Sequence, residues 1–311
     1  MAGKCISLVK GRRIRLTRVN DCGIPVYGEG NQVTSKGFIS VAFTANSTDS
    51  DEISVQNAAG EVCVFEPSET SFTGYGVEAT FCEVDVELFA LATGQEVYLD
   101  AAGNAIGFTI NTKIEREGGF ALELWAGSPN ADVCDDPNAQ GSYGYLLFPF
   151  VKGGIVGDFT IENGAATFTI SGSTTRDGNG WGVGPYPVLL NNATPSVAAP
   201  LPSALDSADH MLMVVTTVAP PEAACGTRPL LDPSGAALTS VAGVVTGLSA
   251  DFDVTPISTG PVWYDFGDGE WDYVAAPGEA SHTYDTAGTY TVKASQNGTQ
   301  WVTTTVTVTG P

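Results

Sequence analysis

Apolar and polar positions along this chain alternate in short runs, and helical spacing is rare. Residues 12–19 (Arg-Arg-Ile-Arg-Leu-Thr-Arg-Val) predict a strand whose polar face carries Arg12, Arg13, Arg15 and Arg18. Residues 20–36 read as turn-rich, with Asp21-Cys22-Gly23 and Gly28-Glu29-Gly30. Phe38 to Ala45 predicts a second strand with Ile39, Val41 and Phe43 on one side, followed by a polar loop over 47–51. Ile53-Ser54-Val55-Gln56 and Glu61-Val62-Cys63-Val64 flank Asn57-Ala58-Ala59-Gly60, the chemistry of a hairpin whose Gly60 is free to turn left-handed.

One helix is predicted. A strand over 77–82 leads to Asp85, which can cap; Val86, Phe89 and Ala90 then share a face, and Gly94 ends the run. Strands are expected at 108–111, 120–125, 145–151 and 157–175, the last containing a hairpin turned at Asn163-Gly164. Residues 129–140 read as a polar loop and 177–202 as irregular, while 210–218 predict one more strand. Residues 220–235, rich in Pro and Gly, read as a connection, so the domains are expected at 1–235 and 236–311.

Composition agrees with an all-β reading with one short helix. The 311 residues suit two domains, the 43% hydrophobic content can fill two cores, and 37 Gly with 18 Pro favour turns. Charge is distributed unevenly. Six of the thirteen basic residues lie in the first eighteen positions, before any acid, leaving residues 21–311 with all 35 acids against 7 bases. An acidic body repels phosphate, which argues against tight nucleic-acid binding and against anionic membranes. A solvated surface explains the acids simply; a wall past which another polyanion slides is the sharper reading. The basic strand has an obvious acidic partner in a second copy, a head-to-tail complementarity that builds rings or stacks.

Candidate chemistry is sparse. No run is apolar for long enough to span a membrane, and the opening segment does not read as a signal peptide, so synthesis in the cytoplasm is expected. Cys5, Cys22, Cys63, Cys82, Cys134 and Cys225 include no Cys-x-x-Cys pair, and no metal or other cofactor is expected. In a reducing compartment they are expected as buried thiols; oxidation after release is the alternative. His210 precedes an apolar strand, and no nucleophile elbow, phosphate loop or zinc-protease motif occurs, so the chain does not read as an enzyme. Asp265, Asp268, Glu270 and Asp272 could offer oxygen ligands to calcium, but turn-forming acids are the plainer reading.

The last third carries the most specific motif: Tyr264-Asp265-Phe266-Gly267-Asp268-Gly269, then His282-Thr283-Tyr284, then Gly288-Thr289-Tyr290. Gly267 and Gly269 can take positive φ and Asp268 can bond its own backbone, the chemistry of a turn closing a strand. Over roughly 245–309 this pattern resembles the PKD domain, an immunoglobulin-like sandwich. The resemblance implies that His282 is structural. Trp263, Trp271, Tyr273 and Trp301 are aromatic candidates for a glycan platform, with Trp263 and Trp301 expected in the sandwich core.

The first 220 residues resemble the major tail tube proteins of long-tailed bacteriophages of actinobacteria. The resemblance rests on the opening Met1-to-Arg18 segment, the hairpin 52–65, Phe81 to Phe89, Phe120 to Gly127 and Gly157 to Gly164, in that order. It implies a β-sandwich assembling as hexameric rings stacked into a hollow helical tube, with strands joined across subunits. Its partners would be further copies of itself, the tape measure, terminator and tail-tip proteins, and DNA passing without specific binding. The location would be the virion, after assembly in the host cytoplasm. The second module would project outward toward host surface or glycans. Arg12, Arg13, Arg15 and Arg18, with loops 20–36 and 44–52, are the expected inter-subunit contacts. The competing expectation is a secreted or surface carbohydrate-binding protein carrying a PKD module, and a third is another virion part such as a capsid decoration.

Overall fold

The computed structural model describes residues 9–112, 118–127, 143–159, 167–176, 181–190, 198–298 and 300–310. The turn at Asn163-Gly164, the loop 129–140 with Cys134, and Lys4 with Cys5 lie outside the described residues.

The first part of the chain builds β1 (Val9–Val19), β2 (Gly28–Ser35), β3 (Phe38–Asp49), β4 (Ile53–Gln56), β5 (Val62–Glu66) and β6 (Thr70–Phe81). Helix α1 (Val86–Thr93) precedes β7 (Val97–Leu99), β8 (Ala105–Phe108), β9 (Gly119–Gly127), β10 (Tyr143–Val156) and β11 (Phe168–Thr175). Then come β12 (Leu189–Leu190), β13 (Ala198–Ala199), β14 (Leu212–Thr216) and β15 (Ala224–Leu230). One nine-stranded antiparallel sheet runs β15-β2-β1-β9-β10-β11-β6-β3. It forks at β10, whose residues 143–147 pair β14 while residues 151–156 pair β11.

Two of these strands correct the expected organisation. β2 lies within the stretch read as turns, and β15 lies within the stretch read as a connection. Both are Gly- or Pro-bearing segments recruited by pairing with a neighbour, and Pro229 is tolerated because β15 is an edge strand.

The centre of the sheet is covered on both sides. On one face Ile14, Leu16, Leu122 and Leu124 pack with Phe81, Ile170 and the α1 residues Leu88 and Phe89. On the other, Val19, Ala121, Trp125, Tyr145 and Leu147 pack beneath Trp181, Tyr186, Val188 and Leu201. Each fully buried Leu or Phe contributes about 1.5–3 kcal/mol, so the doubly covered strands β1, β9 and β10 anchor the domain.

Helix α1 begins and ends where the sequence places it. The Asp85 side chain accepts hydrogen bonds from the amides of Glu87 and Leu88, and Gly94 takes the left-handed conformation at φ 71°. The capping Asp85 and the first-turn Glu87 also reach β15: the Gly226 amide donates to Asp85 Oδ2 at 3.0 Å and the Thr227 amide to Glu87 Oε2 at 2.5 Å.

The C-terminal part forms a sandwich of β16 (Ser240–Thr246), β17 (Ser249–Thr255) and β20 (Ala280–Thr283) against β18 (Val262–Asp265), β19 (Trp271–Val274), β21 (Gly288–Ser295) and β22 (Val302–Val308). Its core holds Leu238, Phe252, Val262, Tyr264, Phe266, Tyr284 and Val292, and shares no residue with the two cores upstream.

Candidate interaction surfaces

The four arginines of β1 do not share a solvated face. Arg15 is buried, and its Nε and Nη2 donate to Glu123 Oε2 and Oε1 at 2.6 and 2.7 Å. Its guanidinium lies 3.9 Å from the centre of the Tyr186 ring and 5.0 Å from that of Trp125, while Tyr145 Oη donates to Glu123 at 2.6 Å. Burial opposes the Arg15 charge, but the facing Glu123 carboxylate outweighs it and raises the guanidinium pKa. Arg15 is thus consumed inside its own subunit, which corrects its expected place on a contact surface. Arg13 is half-buried and donates to the Pro221 carbonyl at 3.1 Å. Arg12 and Arg18 are exposed, Arg18 at the rim of a cleft beside the C-terminal end of α1.

Among the described residues, the longest run that is exposed throughout is an arm. β3 and β6 continue past the sheet into β4 and β5, and every residue from Thr44 to Thr73 is exposed. From Asn46 to the turn at Asn57 the arm reaches roughly 35 Å at ordinary strand rise. The hairpin turn follows the predicted chemistry: Asn57 Oδ1 accepts from the amides of Ala59 and Glu61, and Gly60 has φ 83°. Val55 stands opposite Val64, and Ile53 lies two positions along on the same face. Ile53, Val55, Val62, Val64, Phe65 and Phe72 are between 48% and 59% exposed. A two-stranded ribbon has no core of its own, so Ile53, Val55, Val62, Val64 and Phe65 stay largely in solvent, whereas Phe72, at the arm's base, packs edge-on against Tyr75 and His210 at 5.0 and 5.3 Å. A second hairpin, β7–β8, likewise exposes Tyr98, Leu99 and Ile106.

The sheet margins are unequal. β3 ends the sheet on one side, and β14 ends the short branch of the fork. On the β15 side, the Gly226 and Thr227 amides are occupied by the α1 carboxylates.

In the C-terminal sandwich the motif residues converge on one end of the core. Tyr264 Oη donates to the Gly278 carbonyl, Tyr284 Oη to the Phe266 carbonyl at 3.2 Å, and the Tyr284 ring stacks on Tyr290 at 4.1 Å. His282 is buried, stacks on Phe266 at 4.1 Å and bonds Asp268 Oδ2 through Nε2 at 2.7 Å. Asp265 and Asp268 accept from the amides of Gly267 and Glu270, the turn chemistry read from sequence. Gly267 (φ 83°) and Gly269 (φ 104°) are left-handed, and Gly288 lies against the Tyr290 ring. Among the described residues no group of three or more His, Cys, Asp or Glu could hold a metal ion.

Two further expectations need correction. Trp263 and Trp301 lie outside the sandwich core: Val262, Tyr264 and Phe266 point inward, so Trp263 points outward, with Trp301 at 5.2 Å and Trp271 at 6.3 Å. Trp271 is stacked by Arg228 of β15 at 5.1 Å, so part of this aromatic group joins the two domains. Among the cysteines, Cys22, Cys63, Cys82 and Cys225 are free and exposed, not buried.

No curated protein matches the chain. The PKD domain family matches residues 235–309, the segment holding the Tyr264, His282 and Tyr284 constellation. An all-β protein with one short helix, this chain therefore ends in a PKD domain of immunoglobulin-like fold.

Proposed function

We propose that the chain is a structural virion protein that polymerises as stacked hexameric rings to form a phage tail tube, with its PKD domain facing outward. The observation that carries this reading is the arm from Thr44 to Thr73, exposed along its whole length, with Ile53, Val55, Val62, Val64 and Phe65 about half in solvent. The margins of β3 and β14, which pair with no further strand among the described residues, support it, since a neighbour's strand would satisfy their backbone groups. The resemblance of the first 220 residues supplies the ring and tube geometry. With 35 acids against 7 bases beyond residue 20, the subunit suits a conduit that DNA crosses without adhering. The tape measure, terminator and tail-tip proteins are the partners this role requires.

A second reading, a surface adhesion or carbohydrate-binding protein, is favoured by the PKD match and by Trp301, 39% exposed. Negative-stain microscopy of the purified full chain separates the two. Rings or tubes are expected; a protein that stays monomeric at high concentration and is retained by insoluble polysaccharide would overturn the tube reading.

A further inference from the structure

We infer that the arm of one copy docks on a basic pole at the opposite end of the next copy, an inference that rests on the polymer proposed above. From Thr44 to Thr73 the arm carries Asp49, Asp51, Glu52, Glu61, Glu66 and Glu69 and no base. The pole is built by three neighbouring segments. Register places Ile14 beside Ser35, and Gly11 lies against the Phe38 ring, so Lys10, Arg12 and Lys36 gather at one end of the sheet. All three are exposed and have no ion pair among the described residues. Glu83 is the acid beside them, against Gly37, and Ile39 offers an apolar surface that is 55% exposed.

The two poles face opposite ways. β3 starts at the basic end, at Phe38 paired with Phe81, and runs away from it toward Asp49 and the arm. An acidic apolar projection at one end and a basic apolar seat at the other make a heterologous contact, which repeats without closing on itself along the strand direction. Opposite charge sets the register of such a contact while the apolar residues supply the buried area.

Two native thiols mark the contact. Cys63 lies on the arm, and Cys82 lies at the basic end, where its amide donates to the Gly37 carbonyl at 2.9 Å. Within one subunit they are separated by on the order of 60 Å of strand, so a short bismaleimide can join them only between copies. Polymer from the full chain is treated with that reagent, digested and read by mass spectrometry. A Cys63–Cys82 linked peptide is expected, lost in C63S and in C82S. In parallel, R12E/K36E raises the concentration needed for assembly by roughly tenfold or more, and adding E52R/E66R restores it. Polymer that forms without that linked peptide, or that ignores the charge reversals, overturns the docking site alone. A chain that never polymerises removes the tube reading and the docking site with it.

Discussion

Arg15 on β1 and Glu123 on β9 stand opposite one another in register, and their paired hydrogen bonds of 2.6 and 2.7 Å are sealed inside the second core. A buried pair contributes little net stability over an apolar pair of the same shape, yet removing one member strands the other's charge. E123Q is therefore expected to lower unfolding stability by about 3–5 kcal/mol. The combined R15M/E123L variant should recover most of that loss. Chemical denaturation followed by tryptophan fluorescence reads both, and equal losses in the two variants would contradict the argument.

Burial, followed by the nearby Glu123 charge, raises the pKa of Tyr145 and Tyr186, and burial beside Asp268 pushes Tyr284 up to about 12. The sign follows from linkage. A tyrosine ionises near its ordinary value of about 10 in the unfolded chain but later in the folded one, so the unfolded state binds fewer protons in that window. Stability is flat below that value and falls as pH rises from about 10 through 12. Phenolate absorbance should show these tyrosines titrating only with unfolding. A smooth titration of all ten tyrosines near their ordinary value in still-folded protein would refute it.

Gly267 and Gly269 share a left-handed backbone but not a neighbourhood. A Cβ at Gly267 would lie 2.5 Å from the Thr291 carbonyl oxygen, whereas one at Gly269 would meet nothing within 4 Å. G267A should cost the PKD domain about 1–3 kcal/mol of strain plus the displacement of Thr291, and G269A about 1 kcal/mol. Thermal unfolding of the full chain with each substitution tests the order. Equal effects would mean that backbone conformation alone sets the cost.

The features legible from sequence were those whose causes are local. Asp85 and Gly94 fix the helix ends, Asn57 and Gly60 the arm's turn, and the Tyr264-to-Gly269 run its strand and turn, each within a few residues. β2 and β15 were hidden because Gly28, Gly30, Gly226 and Pro229 are poor strand formers, placed there by partners far along the chain. Arg15 was misplaced because a period of two assumes one wet face, and the centre of this sheet has none. Its partner lies 108 residues away. The outward place of Trp263 was readable, since Val262, Tyr264 and Phe266 alternate with it. The arm's full extent was not, because exposed and half-buried strands carry the same apolar spacing.

Because the amides of Gly226 and Thr227 already donate to Asp85 and Glu87, these two groups of the β15 flank are not free to bond another strand. The β15 flank is thus partly closed while the β3 and β14 margins stay open. In the polymer proposed above, sideways accretion of misaligned chains would be discouraged at the first, and recruitment would be directed to the others.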